Sequence, residues 1–193
     1  MAIRSQPGAF LVRHLLQRRY AFDRWHVGHA NETYVADIAR FLNAWPEARR
    51  DAVLEIGCGL GDILRRLRFR TRVGLDRESE VVGAARFLAR WRLGTLPRFD
   101  VFDFPRDSLT GTYDAIILVN WIHEIETAAL VPALRAYATR HLREGGAIIL
   151  DTVDDPAYRF NHDIRALASP GARIELIGSY PRGRRVWAFH PSP

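Results

Sequence analysis

The chain has 193 residues, a formal net charge of +6 and a single cysteine, and all 28 of its basic residues are arginine. That length suits one domain with a real hydrophobic core. The absence of lysine excludes Schiff-base, P-loop and lysine-base chemistry, while a lone Cys58 excludes an internal disulfide and a multi-cysteine metal site.

Two helical segments come first. Residues 9–20 bring Phe10, Val12, Leu15 and Leu16 near one face. Residues 32–44 repeat the pattern with Tyr34, Val35, Ile38, Phe41 and Leu42, with Asn31 as a plausible N-cap and Pro46 as the stop. An alternating α/β pattern follows. Residues 52–56 predict a buried strand, then a glycine-rich turn and a helix over 62–68. Residues 72–75 predict a second strand, and 78–91 a helix with Val81, Val82, Ala85 and Leu88 inward. A third strand falls at 98–102. The continuous apolar run 113–119 has the character of a central parallel strand. A helix over 128–142 and the turn Glu144-Gly145-Gly146 lead into another buried strand at 147–151. Residues 173–177 and 186–189 flank Pro181-Arg182-Gly183 as an antiparallel hairpin.

This order predicts an α/β fold: a doubly wound, mostly parallel seven-stranded sheet with a C-terminal antiparallel hairpin and N-terminal lid helices. The expected organisation is one domain over 1–193, with 1–48 as a helical lid and 49–193 as a Rossmann-like core. Ligands of such sheets bind beyond the carboxyl ends of the strands, which points to the loops after residues 56, 75, 102 and 119.

The first of those loops is Gly57-Cys58-Gly59-Leu60-Gly61, bracketed by Glu55 and Asp62, and Asp76 follows the second strand nineteen residues after Gly57. Glycines let a ligand approach the backbone, and a carboxylate after the second strand can take both hydroxyls of a ribose. The spacing G-x-G-x-G departs from the G-x-G-x-x-G of dinucleotide enzymes, and the acidic bracket suits a cationic ligand better than a pyrophosphate. The segment Val53-Leu54-Glu55-Ile56-Gly57-Cys58-Gly59 resembles motif I of class I S-adenosylmethionine-dependent methyltransferases. That resemblance implies S-adenosyl-L-methionine as cofactor, with Glu55, Gly57, Cys58 and Gly59 about its aminoacid end and Asp76, with Arg77 beside it, at the ribose. It further implies an acid after the third strand at the adenine amino group, either Asp100 or Asp103, with Phe102 or Phe104 on the ring. Asn120 and Trp121, after the fourth strand, would lie beside the sulfonium. The resemblance covers residues 50–152 well and the hairpin loosely.

Methyl transfer to a hydroxyl needs a general base, and His123 in Trp121-Ile122-His123-Glu124 is similar to the histidine–acid pair of small-molecule O-methyltransferases. A plain alternative is a histidine that opens a helix with Glu124 in its first turn. In the lid, Tyr20, Trp25, His26, His29 and Tyr34 are candidates for contact with cofactor or substrate, and Asn161 and His162, before the tail hairpin, are weaker ones on the same grounds. His26 and His29 lack a third ligand, so no metal is expected. The Asn/Asp-Pro-Pro-Tyr segment of base N-methyltransferases is absent from 120–123.

The favoured expectation is methyl transfer to a hydroxyl or amine of a small molecule. The net positive charge keeps a nucleic-acid or other macromolecular partner as an alternative, although the arginines are dense only at 65–72 and 182–185. Cyclisation of the cofactor and a non-catalytic binding module are the remaining readings. The apolar runs are too short to span a bilayer, and Arg13, His14, Arg18 and Arg19 break any signal-peptide pattern, so a cytoplasmic location is expected.

Overall fold

Val53, Leu54 and Ile56, the run Ala115 to Leu118 and the run Ala147 to Leu150 are all withdrawn from water, as strands covered on both faces must be. In the computed structural model, which describes residues 7–28, 32–90 and 95–192, they form the middle of one sheet. Its strands are β1 (Ala52–Ile56), β2 (Thr71–Asp76), β3 (Arg98–Val101), β4 (Tyr113–Leu118), β5 (Leu142–Thr152), β6 (Arg173–Ser179) and β7 (Arg185–His190). The order across the sheet is β3-β2-β1-β4-β5-β7-β6. The first five run parallel, β7 runs antiparallel to β5, and β6 pairs antiparallel with β7.

Alternation along the strands divides the core. Val53, Ile117, Ile149 and Ala188 face α3 (Thr33–Asn43) and α4 (Ser79–Ala89) through Val35, Ile38, Leu42, Val82 and Ala85. Leu54, Ile116, Ile148 and Leu150 face α5 (Thr127–Arg140) and the short α6 (Ile164–Leu167) through Leu130, Leu134 and Leu167. A smaller cluster of Leu16, Phe22, Val27, Leu60 and Val81 seats α1 (Pro7–Tyr20) and the single turn α2 (Trp25–Gly28). α3 has Glu32 at its N-cap without a side-chain bond. Its docking therefore rests on burying Tyr34, Val35, Ile38 and Leu42, at roughly 1.5–3 kcal/mol for each large side chain.

Some expectations are corrected. The helix predicted over 62–68 is a single 3-10 turn, Leu64–Arg66. Arginine side chains replace the N–H donors that a continuing helix would supply: Arg65 reaches the Leu60 carbonyl, and Arg72 donates to Leu67 O at 3.1 Å. The chain then leaves in extended geometry at Leu67. On α1 the expected apolar face is rotated. Val12 and Leu15 are exposed, Leu16 is buried, and Arg13 is buried beside it, because Asp62 supplies a partner for its charge. β3 ends at Val101, so Phe102 already belongs to the loop. Phe41 is only partly buried. The expected N-cap Asn31, the lid candidate His29 and the helix end at Trp91 lie outside the described residues.

Candidate active site

The sheet reverses its winding between β1 and β4, and a crevice opens beyond their carboxyl ends, where doubly wound sheets hold ligands. It contains a cavity of about 390 Å3. β1 contributes Ile56 with Gly57 after it, β2 contributes Asp76 with Arg77 and Glu78 after it, and the loop after β3 contributes Phe102 and Phe104. The segment after β4 contributes Asn120, Trp121, His123, Glu124 and Ile125, and α2 closes one side with Trp25 and His26.

Asp76 is almost wholly buried, yet lines the cavity. Its two oxygens accept from the backbone N–H of Gly59 at 2.8 Å and of Glu78 at 3.2 Å. Burial pushes its carboxyl above the ordinary range, against the pull of those N–H groups. Glu78 is also raised, by burial and then by the Asp76 charge. Asp76, Glu78 and Glu124 give the lining three carboxylates, against Arg77 and two histidines. The negative charge expected from Asp62 is not available there. Asp62 pairs with Arg13 and with Arg65 and does not line the cavity.

Gly57 has φ +70°, and a Cβ there would lie 2.3 Å from the Trp121 indole. The residue is glycine for two reasons, a left-handed backbone and an aromatic ring resting on it. Trp121 Nε1 donates to Ile56 O at 2.7 Å, and the Phe104 ring meets the indole edge-on at 5.0 Å. His26 stacks on Trp25 at 3.7 Å and sits over Gly59. Asn120 also takes a left-handed φ of 75°, held by its N–H to Asp151 Oδ1 at 2.9 Å.

His123 lies in the 3-10 turn Ile122–Glu124. It is buried, and burial followed by the nearby Arg184 guanidinium lowers it to about 4, so it is neutral at physiological pH. Its Nδ1 has no hydrogen-bond partner among the described residues, and Nε2 lies 3.9 Å from Glu124. His162 fixes this turn from behind. Its Nε2 donates to Ile122 O at 3.0 Å, which leaves Nδ1 to accept from the Thr127 hydroxyl at 3.0 Å.

A second cavity of about 500 Å3 adjoins the first, sharing Trp25 and Asn120 with it. Its other walls are Gly28, Glu32, Tyr34, Tyr158, Tyr180, Pro181, Arg182 and Arg184. Behind it, Arg184 is buried against Asp151 and donates to the Tyr158 hydroxyl at 3.1 Å. The Tyr158 ring meets His123 at 4.2 Å, so the two cavities touch through this pair.

Among the residues singled out from sequence, Gly57, Asp76, Arg77, Phe102, Asn120, Trp121, His123, Trp25 and His26 converge on the first cavity, and Tyr34 lines the second. Glu55 at the end of β1 and Cys58 and Gly59 in the glycine turn are buried and lie outside the lining. Burial and then the Asp62 charge push Glu55 well up, and its Oε2 has no hydrogen-bond partner among the described residues. Asp100 points into ion pairs with Arg86 at 2.9 Å and Arg98 at 3.1 Å. Asp103 pairs with Arg106 at 2.9 Å. Neither lines the cavity. Tyr20 packs over Gly83, away from it. Sequence reasoning missed Glu78 and Ile125 in the first cavity and Tyr158, Tyr180, Arg182 and Arg184 in the second. The dense arginines at 182–185 were the signal for the last two. Among the described residues no group of histidines, cysteines and carboxylates is placed to hold a metal ion.

Residues 54–148 match a family model described as a methyltransferase domain. No curated protein matches the chain in sequence. Among solved structures, magnesium protoporphyrin IX methyltransferase from Synechocystis PCC 6803 with bound S-adenosylmethionine aligns with a TM-score of 0.67 at 19% identity, covering 98% of this chain and 99% of that one. The N-methyltransferase NodS from Bradyrhizobium japonicum with bound S-adenosylhomocysteine aligns with a TM-score of 0.69 at 17% identity, covering 94% and 99%. The fold is that of the class I S-adenosylmethionine-dependent methyltransferases, and the match to the methyltransferase-domain model lies within it over residues 54–148.

Proposed function

We propose that this enzyme transfers a methyl group from S-adenosylmethionine to a hydroxyl or amine of a small molecule. The observation that carries the reading is the pair of touching cavities, one lined by Asp76 and the glycine turn, the other by lid and hairpin aromatics. The donor set fits the cofactor. Three lining carboxylates favour a cation, Phe102 and Phe104 offer apolar faces to a heterocycle, and Asp76 can accept from ribose hydroxyls. When bound, the cofactor supplies an activated methyl group for in-line displacement.

The protein's own part is to hold the acceptor close and aligned and to keep water out. Asp76 anchors one end of the cofactor, and the rigid Asn120-Trp121 turn borders the junction of the cavities. His123, neutral and facing the first cavity, takes the proton of a hydroxyl acceptor through a ring nitrogen. An amine that arrives uncharged needs no such base. The two solved relatives act, by their names, on a porphyrin and as an N-methyltransferase, which supports a small-molecule acceptor without choosing between oxygen and nitrogen. No helix among the described residues is long and apolar enough to cross a membrane. We take 1–48 as the cover and 49–193 as the core of one cytoplasmic unit.

Calorimetry with S-adenosylmethionine and S-adenosylhomocysteine, followed by transfer of a labelled methyl group into a cell extract, tests the reading. Micromolar binding and label in the low-mass fraction support it. Label in RNA, with binding that weakens steeply with salt, overturns the small-molecule acceptor. Failure to bind either compound overturns the whole.

A further inference from the structure

The second cavity carries chemistry that narrows the acceptor, on the reading that methyl transfer occurs where the two cavities meet. Its walls are aromatic on several sides: Trp25, Tyr34, Tyr158 and Tyr180. Tyr34 and Tyr180 meet edge to face at 5.8 Å, and Tyr180 is fixed by its hydroxyl donating to Asp37 at 2.9 Å. Such walls favour a flat, apolar body over a flexible polar one.

Two guanidinium groups complete the lining. Arg184 is held between rings, 5.3 Å from the Tyr34 centroid and 5.8 Å from that of Tyr158, with Asp151 behind it. Arg182 lies 5.4 Å from the Tyr158 ring, and its Nε donates to Asp155 at 2.8 Å. The carboxylates that neutralise these arginines, the buried Asp151 and the Asp155 paired with Arg182, are both outside the lining. A guanidinium has five N–H donors, and each of these spends no more than two on the bonds described. Among the described residues Glu32 is the one lining carboxylate, and it is exposed. A ligand in this cavity meets fixed N–H donors between aromatic walls, the pattern that recognises a planar anion bidentately.

We infer that the acceptor is a planar aromatic acid, its carboxylate held at the Arg182 end and its hydroxyl at the Trp25–Asn120 junction beside His123. Arg182 is then a specificity-determining residue. Arg184 shapes the wall and also secures Asp151, so its removal would confound folding with binding. Arg182 has an exposed side chain at the cavity rim and is the cleaner probe.

The test is calorimetry with three bicyclic probes of one shape: 6-hydroxy-2-naphthoate, its carboxamide, and 6-(aminomethyl)-2-naphthol. Each is titrated into wild type and Arg182→Gln, with and without saturating S-adenosylhomocysteine. The acid is expected to bind wild type at least tenfold more tightly than the amide or the amine. Arg182→Gln should lose that preference while binding S-adenosylhomocysteine as before, and Arg182→Lys should recover part of it. Stronger binding of the amine would overturn the proposal and make Glu32 and the tyrosines an amine cage. Equal binding of the acid to wild type and Arg182→Gln, or no binding of any probe, would overturn it too. Failure of S-adenosylhomocysteine to bind would instead strike the cofactor reading, because the probes are also titrated without it.

Discussion

Arg13 on α1 and Asp62 beneath the glycine turn form a buried ion pair, with a second hydrogen bond at 3.0 Å. The same guanidinium approaches the carbonyls of His26 at 3.4 Å and Val27 at 3.5 Å. One side chain thus ties the first helix, the turn bearing Trp25 and His26, and the segment after the glycine turn together. Removing one partner of a buried pair leaves the other charge stranded, although here Arg65 remains beside Asp62. Arg13→Met should cost about 2–3 kcal/mol in urea unfolding, short of the largest such losses because Arg65 stays. It should also weaken S-adenosylhomocysteine binding, as His26 loses its tether.

Asp76→Asn separates binding from stability. The amide oxygen can still accept from the Gly59 N–H, but the charge is gone. Affinity for S-adenosylhomocysteine should fall tenfold or more, on the order of 1.5–3 kcal/mol for hydrogen bonds to a charged group. Burial raises the Asp76 carboxyl, so a raised acid favours the folded state below its unfolded value and opposes it once ionised. The variant should therefore unfold at the same temperature as wild type or higher at pH 8, as read by circular dichroism.

Gly57→Ala meets two obstacles, the positive φ and the indole 2.3 Å from the new methyl. It should destabilise by about 2–4 kcal/mol, summing backbone strain and overpacking. Made in a Trp121→Ala background, the same change should lose its steric part and cost only the backbone strain, roughly 1 kcal/mol or more relative to Trp121→Ala alone. No difference in denaturation between Trp121→Ala and the double variant would show that the backbone there is unstrained.

His123 gives a pH signature. In the unfolded chain it takes a proton near its ordinary 6.5, while the folded protein resists until about 4. Between those values the unfolded state binds more protons, so stability is complete above 6.5 and declines as pH falls. Over that window the wild type should lose roughly 2–3 kcal/mol that His123→Gln does not lose. Methyl transfer to a hydroxyl should likewise persist down to about pH 5 in wild type. An acidic limb centred near 6.5 would show that His123 titrates as if exposed.

The strands and the glycine turn were legible because each answers a local demand. Short, continuous apolar runs bounded by turn residues read as strands buried on both faces, and a backbone at φ +70° with a ring resting on it, as at Gly57, needs glycine. Asp76 was legible through its place at the carboxyl end of β2. What escaped was settled by long-range partners. Whether residues 62–68 form a helix depends on Arg72, whose side chain caps the carbonyls there. Periodicity could not foresee that Arg13 would take the inner face of α1, since its partner lies 49 residues away. The sequence left Asp100 and Asp103 open, and both turn out to be engaged with neighbouring arginines. The second cavity was illegible for the same reason, as its walls come from α3, the loop after β5 and the hairpin, which meet only in the folded sheet.

The contact between Asp151 and Arg184 also couples two distant stretches of the chain. Asp151 lies in the buried half of β5, and its counter-charge comes from Arg184, 33 residues later and one residue before β7. The same carboxylate accepts the Asn120 N–H through its other oxygen. The turn after β4 is therefore braced from the hairpin at the far edge of the sheet, and whatever loosens the seam between β5 and β7 loosens the border of both cavities with it.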